Sequence, residues 1–556
     1  MQERGDADVI VVGSGATGGW VAKRLTEAGA RVLMLEAGRP ASDADYREHV
    51  PASSLEYRGM TKAPLAGARP RQSESYACDE WNAGFYADDR AEPYTTPKGQ
   101  PFPWVGRIRM VGGRTNVWGR QSYRWSDLDF KAASRDGVGV DWPVGYDDLA
   151  PYYDLVERYI GVSGQAEHYP YLPDGAFQPP MPMTCAERAV ADRVKAKLGR
   201  LVTIGRSANL TAPINGRASC HYCGPCERGC TTHSYFNSTF TTVADALRTG
   251  RLTLVTGAMV HRVQLTGEHS AAGVEYVDRA THLRHEVRAR AVVLCAQTFE
   301  TTRILLNSAG NDHPSGLGNS SGLLGTHLQV HFTDAGARAR FDEFPGTPSA
   351  GGARRPNGVY VPRFRNLPGQ PAAREFLRGY GYQGGSNVPF HFDAPGYGET
   401  YKAALRRPAP TVVSLQGFGE CLPNAANTVQ IDPAIVDAWG IPALKISIEL
   451  RDNDRAMLTD MAAAAAEMLE AAGGTDVRSH VTPRWASHEV GTARMGTDPR
   501  TSVVTPFQQL HDVPNLFAMD GASFPSGGWS NPTLTMMALA VRSTDRLIER
   551  LKQKDL

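Results

Sequence analysis

The sequence predicts two architectures in one chain: an α/β, Rossmann-like nucleotide-binding domain built from discontinuous segments, and an α+β domain with an antiparallel sheet. Three observations predict it. Strand, glycine-rich turn, helix and second strand follow one another within residues 9–36. Strand and helix patterns alternate again over residues 239–307 and return after residue 516. Residues 328–480 differ, with strand-like runs that read as an antiparallel sheet carrying helices on one face.

In order along the chain, residues 9–12 form an apolar β-branched run, 13–18 the turn, 19–28 a helical pattern and 31–36 a second buried strand. Residues 40–103 are rich in Pro, Gly and Tyr and read as extended loop, a length usually reserved for lids or interfaces. Strands follow at 252–256, 273–276 and 291–296, then at 358–363, 411–418, 428–431 and 443–450. An alanine-rich amphipathic helix around 461–469 begins near the polar cap residues Asn453 and Asp454. The tail runs as a strand to Asp520 and Gly521, then a helix out to Leu551, with Asn531 as its N-cap and Pro532 in its first position. The nucleotide-binding domain thus takes 1–39, 100–125, 210–327 and 505–556, and the second domain 126–209 and 328–504. Residues 40–99 form an extended loop or lid, and 218–232 a Cys-rich loop.

With 556 residues the chain needs at least two cores. A net charge of +1 favours neither nucleic acid nor an anionic membrane surface as partner. No apolar run approaches the roughly 18 residues a membrane helix needs, so direct insertion is not expected. The polar start shows no signal peptide, which predicts a cytoplasmic protein, or a periplasmic one if a signal-bearing partner exports it.

Gly13-Ser14-Gly15-Ala16-Thr17-Gly18 carries the first chemistry. Gly13 permits the tight turn, Gly15 lets a pyrophosphate approach the backbone, and Gly18 lets the helix pack on the strand. The phosphates then meet the helix N-terminus, while Glu36 binds a ribose hydroxyl. A second helix N-terminus, after Asn531-Pro532-Thr533, suits a flavin's longer arm. Paired glycines at Gly112 and Gly113 allow close approach to a flat ligand. Cys220, Cys223, Cys226 and Cys230 have the C-x2-C-x2-C-x3-C spacing of a bacterial ferredoxin, with Thr231 in place of the usual proline. That spacing points to an iron–sulfur cluster. A structural zinc ion and unmetallated thiols are its competitors. Cys78, Cys185, Cys295 and Cys421 are scattered and read as ordinary buried thiols.

The glycine turn with Glu36, the Gly112-Gly113 pair, Ser487-His488-Glu489-Val490-Gly491-Thr492-Ala493-Arg494-Met495-Gly496 and Asn531-Pro532-Thr533 together resemble the glucose–methanol–choline (GMC) oxidoreductase family, over nearly the whole chain and in order. The resemblance implies an FAD-binding domain plus an antiparallel-sheet substrate domain, with His488 and Asn531 as the catalytic pair. It also implies that Ala16, Thr17, Ala37, Thr115, Asn116, Val260, Asp520, Gly521, Pro532 and Thr533 join the glycines around FAD. A neutral imidazole, with an ordinary pKa near 6.5, suits removal of a hydroxyl proton as hydride leaves carbon. Residues 109–120 and 301–308 resemble the sugar-oxidising branch with pyranose oxidases and glucoside 3-dehydrogenases. Some pyranose oxidases tether flavin through a histidine just before a tryptophan. Val117 stands there, so non-covalent FAD is expected. Some GMC dehydrogenases that feed cytochromes carry a three-iron cluster on three cysteines. With four cysteines here, 3Fe-4S and 4Fe-4S both stay open.

The expected function is an FAD-dependent dehydrogenase that oxidises a hydroxyl of a sugar or glycoside, position 3 favoured. Electrons would leave through the cluster to a cytochrome-like acceptor protein, with a small companion subunit also expected. Tyr380, Tyr382, Gln383, Asn387, His391 and Tyr397 are candidates for lining the sugar site. The alternatives are an oxygen-using sugar or alcohol oxidase, a flavoprotein subunit for electron transfer or assembly without its own substrate, and a zinc-binding interaction module.

Overall fold

The computed structural model describes residues 7–59, 63–348, 355–370, 375–390, 396–482 and 486–556. Strand Ala7–Val12 lies between Val32–Glu36 and Arg284–Leu294, all parallel, with Leu252–Thr256 outside Val32–Glu36 and Leu516–Ala518 beside Arg284–Leu294. Val9 to Val12 are at most 4% exposed, which is why they read as a continuous apolar run rather than an alternating one. The long strand Arg284–Leu294 changes partners along its length: its first half pairs antiparallel with Ala271–Asp278, which in turn pairs with Ala258–Leu265. Helices Ala16–Glu27 and Thr533–Gln553 pack against each other on this sheet.

A second, eight-stranded sheet is antiparallel and takes most of its strands from residues 329–490. Its centre is Ala409–Glu420, flanked by Ala335–Gly346 and Tyr380–Asn387. Helix Asp452–Ala471 covers one face through Met457, Met461, Ala465 and Met468. Gly417 and Gly419 make room for that helix, since a Cβ at either would strike a methionine side chain. The runs at 428 and 443 pair with each other as a separate ribbon, Thr428–Val436 with Pro442–Ser447, rather than joining the large sheet.

Three expectations need correction. Helix Asp452–Ala471 is capped at Arg451, whose N–H is accepted by the Asp454 carboxylate at 2.9 Å, so Asn453 and Asp454 lie within the helix. The last helix begins at Thr533 with Pro532 at the cap position, and Asn531 does not cap it. Cys185 is exposed, whereas Cys78, Cys295 and Cys421 are buried as read. Among the described residues, no helix is long and apolar enough to cross a membrane.

Candidate functional site

The glycine turn folds as its three roles require. Gly13 has φ +97°, and a Cβ there would sit 2.4 Å from the Cys295 carbonyl oxygen. At Gly18 a Cβ would meet the Gly13 carbonyl at 1.9 Å, whereas at Gly15 it would meet nothing within 4 Å. The packed glycines hold strand, turn and helix together; the open one faces free space at the N-terminus of Ala16–Glu27. Thr17 is buried in the first turn behind it. Glu36 accepts from Ser14 N–H at 3.0 Å, Ser14 O–H at 2.6 Å and Gly38 N–H at 2.7 Å. It therefore braces the turn, and a carboxylate's remaining acceptor capacity is what a ribose hydroxyl could use.

The paired glycines form the opposite wall. Gly112 donates its N–H to Ser14 Oγ at 3.0 Å, and a Cβ on Gly113 would sit 3.5 Å from Gly15 Cα. Thr115 and Asn116 point into this loop: Thr115 donates to the Gly112 carbonyl, and Asn116 to those of Val111 and Gly113. They shape the loop with their side chains. Val260 lies on strand Ala258–Leu265, which starts beside Gly38 through the Gly257 N–H to Gly38 carbonyl bond. Ala37 packs near Met259 and Ile441. Val117 is buried against Phe85, Tyr86 and Met110.

Two bridges join this cradle to the segment bearing His488. Arg114 grips Glu489 with two N–H···O bonds of 2.7 and 3.1 Å. Residues 491–495 run along 521–523 through Gly491 to Gly521, Ala493 to Ala522 and Met495 to Ser523 backbone bonds. Asp520 accepts from Thr301 O–H at 2.5 Å and Ala522 N–H at 2.9 Å, and burial pushes its carboxyl up to about 6. Gly521 is close-packed: a Cβ there would lie 2.7 Å from Thr298 Oγ1.

His488 sits where strand Ala486–Val490 slips register, with φ +62°. A left-handed histidine in a bulge costs of order 1–3 kcal/mol and re-aims the ring out of the strand's alternation. Its Nε2 lies 3.2 Å from Asn531 Nδ2 and its Nδ1 3.0 Å from His331 Nδ1. Asn531 Oδ1 accepts from Gln383 Nε2 at 2.7 Å. Burial, then His331 and Arg114, hold the His488 imidazole well below the ordinary histidine range, so the ring is neutral at pH 7. The arrangement offers a hydrogen-bond acceptor beside an amide, which is what removing a hydroxyl proton needs.

His331 and Gln383 take part without having been predicted as a pair with these two. The signal for His331 is its position two residues after Gln329 on strand Gln329–Phe332, so both face the same way; Gln329 and His331 hold the backbone of Pro525, Gly527 and Gly528. Tyr380 and Tyr382 do not line this site. Alternation turns both from Gln383 toward helix Asp452–Ala471, where Tyr380 donates to Asp460 and Tyr382 to the Met461 carbonyl. Asn387 is exposed at its strand end, Tyr397 is 91% exposed, and His391 lies outside the described residues.

The cysteine loop is arranged differently. Gly224 (φ +106°) and Gly229 (φ +111°) turn the chain, and a Cβ on Gly229 would press into the Tyr46 ring at 2.3 Å. Cys226 and Cys230 are buried, Cys220 and Cys223 partly exposed. Cys220 sulfur accepts the Tyr222 N–H at 3.4 Å and Cys230 sulfur the Ser234 N–H at 3.3 Å. Thiolates sharing one zinc ion at about 2.3 Å lie within about 4.6 Å of each other. Among the described residues, the donors within 4.8 Å of one another are His49, His221 and Cys223, not three of the loop's sulfurs. The donor set is thus four thiols spread around a tight loop, with backbone N–H groups aimed at two of them.

Comparison with known proteins accords with this geometry. Family models described as GMC oxidoreductase match residues 7–333 and 423–540. The chain is 31% identical to 2-methyl-1,2-propanediol dehydrogenase of Mycolicibacterium austroafricanum, covering 98% of this chain and 95% of that one. It is 28% identical to the fructose dehydrogenase large subunit of Gluconobacter japonicus, covering 98% of both. It is also 28% identical to C-glycoside 3-oxidase of Arthrobacter globiformis, covering 98% and 95%. A formate oxidase structure from Aspergillus oryzae superposes over 99% of both chains with TM-score 0.63 at 15% identity, which shows the shared fold.

Proposed function

The chain belongs to the GMC oxidoreductases, and from that premise we propose that it is an FAD-dependent dehydrogenase oxidising a ring hydroxyl of a sugar or glycoside. The observation that carries the reading is the part-buried pair of His488 and Asn531, with His488 Nε2 3.2 Å from Asn531 Nδ2. Bound FAD supplies the two-electron acceptor for the hydride. The residues supply the rest: Gly15 and the helix N-terminus, in the turn set by Gly13 and Gly18, would hold the pyrophosphate opposite Gly112 and Gly113. Asn531 orients the substrate hydroxyl, and His488 takes its proton at Nε2 as the carbon–oxygen double bond forms. Fructose dehydrogenase and C-glycoside 3-oxidase among the relatives support a carbohydrate substrate, and the latter supports position 3. The diol-acting relative marks a small acyclic alcohol as the competing substrate class.

Cys220, Cys223, Cys226 and Cys230 would hold an iron–sulfur cluster, whose chemistry is one-electron transfer onward to an acceptor protein. The Tyr222 and Ser234 N–H groups aimed at the Cys220 and Cys230 sulfurs suit ligating thiolates, and the ferredoxin-like spacing suits a cluster. The large-subunit relative supports a companion subunit. The test is an anaerobic assay with a dye acceptor on D-glucose, methyl β-D-glucopyranoside and 1,2-propanediol, with flavin and iron measured on the same sample. Sugar-dependent dye reduction with iron present supports the reading. Turnover of the diol alone overturns the substrate class, and oxygen consumption without iron favours an oxidase.

A further inference from the structure

His331 is 1% exposed and its two ring nitrogens have different partners. Nε2 lies 2.8 Å from the Gly528 carbonyl oxygen and 3.2 Å from that of Gly527. Carbonyls only accept, so His331 Nε2 carries the hydrogen. A neutral imidazole has one N–H, which leaves His331 Nδ1 as a lone pair. That lone pair faces His488 Nδ1 at 3.0 Å, so the second hydrogen belongs on His488 Nδ1. His488 Nε2 then carries the lone pair, which accepts from Asn531 Nδ2 at 3.2 Å and is the pair a substrate hydroxyl would meet. Each assignment follows from the one before, starting at two backbone carbonyls.

We propose that His331 is a positioning residue for the reaction: it fixes the tautomer of His488, accepting Nδ1–H so that Nε2 is presented to the substrate hydroxyl as the base. The inference rests on the reading of His488 as base. A carboxylate in this place would do the same orienting but would also stabilise the imidazolium formed after proton transfer. His331 accepts the same hydrogen without a negative charge, which keeps His488 weakly basic and ready to lose its proton again. It cannot pass the proton on, because its far nitrogen already donates to carbonyls.

Asn531 sets the same tautomer from the other side: its Oδ1 accepts from Gln383, so its Nδ2 donates to His488 Nε2. Phe418 of strand Ala409–Glu420 faces the His488 ring at 6.0 Å between centroids. Arg114 is the nearby cation, paired with Glu489. Glu420, opposite His331 in the ladder, is taken up by Arg378 at 3.1 Å. Burial pushes His331 down to about 4, so it stays neutral through the working pH range.

The test compares His331→Phe, His331→Asn and His331→Asp, with methyl β-D-glucopyranoside and D-glucose as probes. Loss of the acceptor in His331→Phe is expected to lower kcat by about 100-fold with KM unchanged, on the scale of general-base catalysis. His331→Asn, which keeps a carbonyl acceptor, restores most of it. His331→Asp is expected to move the acid limb of the kcat profile up by about 1–3 pH units, as an opposite charge within reach does. Independently of turnover, 15N-histidine NMR with His488→Gln for assignment should show His488 protonated at Nδ1 in the wild type and a mixture of both tautomers in His331→Phe, where Asn531 alone favours the Nδ1–H form. Equal losses in all three variants with an unmoved pH profile overturn the proposal, as does a wild-type His488 protonated at Nε2. Full turnover in His488→Ala would instead overturn the base reading and leave the tautomer result standing.

Discussion

The His488 centre and the cysteine loop were both legible as motifs, yet the fold builds them in opposite ways. His488, His331, Gln383 and Asn531 come from three strands and a loop as much as 200 positions apart, and each is held by a partner on another element. Their hydrogen bonds close without any ligand. The four cysteines come from one stretch of 11 residues, and no three of their sulfurs lie within 4.8 Å of one another. A site made of long-range contacts is fixed by the fold. A site made of one loop has its final shape set by whatever binds it, because metal binding and local folding are coupled.

Five substitutions or conditions break or sharpen this contrast. His488→Ala removes the proton acceptor and is expected to lower kcat by about 10²–10⁴-fold while FAD stays bound, checked by dye-linked kinetics and the flavin spectrum. Cys226→Ser acts on the other centre. It should abolish bound iron and transfer to a protein acceptor yet leave dye-linked turnover in place, read by iron analysis beside both assays. Gly13→Ala forces a side chain into φ +97° against the Cys295 carbonyl. It is expected to cost at least about 1–3 kcal/mol and to release FAD, seen as a lower Tm and flavin-to-protein ratio.

Asn531→Ala sharpens the comparison, because sequence offers two explanations for the asparagine. A helix cap lost to alanine costs about 1 kcal/mol. Since Pro532 occupies the cap, the expected result is a fall in kcat/KM of about 10-fold with Tm unchanged, the scale of one lost hydrogen bond to the reacting group. The smallest effect concerns acid. His331, pushed from 6.5 down to about 4, binds its proton more readily when unfolded. Its contribution to stability is therefore complete above pH 6.5 and is lost as pH falls toward 4. His331→Asn should flatten that decline in thermal melts across this range.

The parallel strands at 9–12 and 31–36 and the glycine turn were readable because full burial and phosphate geometry each leave a local pattern. Strands Ala258–Leu265 and Ala335–Gly346 were not read. Their burial mixes inward and outward residues without the continuous apolar run of the central strands. Asn531 was read as cap and catalytic residue together; the cap went to Pro532, because a proline fits a helix start without needing an N–H partner. Tyr380 and Tyr382 were placed on the wrong face, since period-two alternation says which residues share a side but not which side meets the helix. His331 carries no motif. Its role exists only once the strand Gln329–Phe332 lies beside His488.

The measurement that bears most directly on the account is anaerobic stopped-flow reduction of the bound flavin by methyl β-D-glucopyranoside and D-glucose, wild type against His488→Ala. Rapid bleaching of the flavin band is expected in the wild type, and bleaching slowed by about 10²-fold or more in the variant. Flavin that stays oxidised with both sugars, or that bleaches equally fast in the variant, would contradict it.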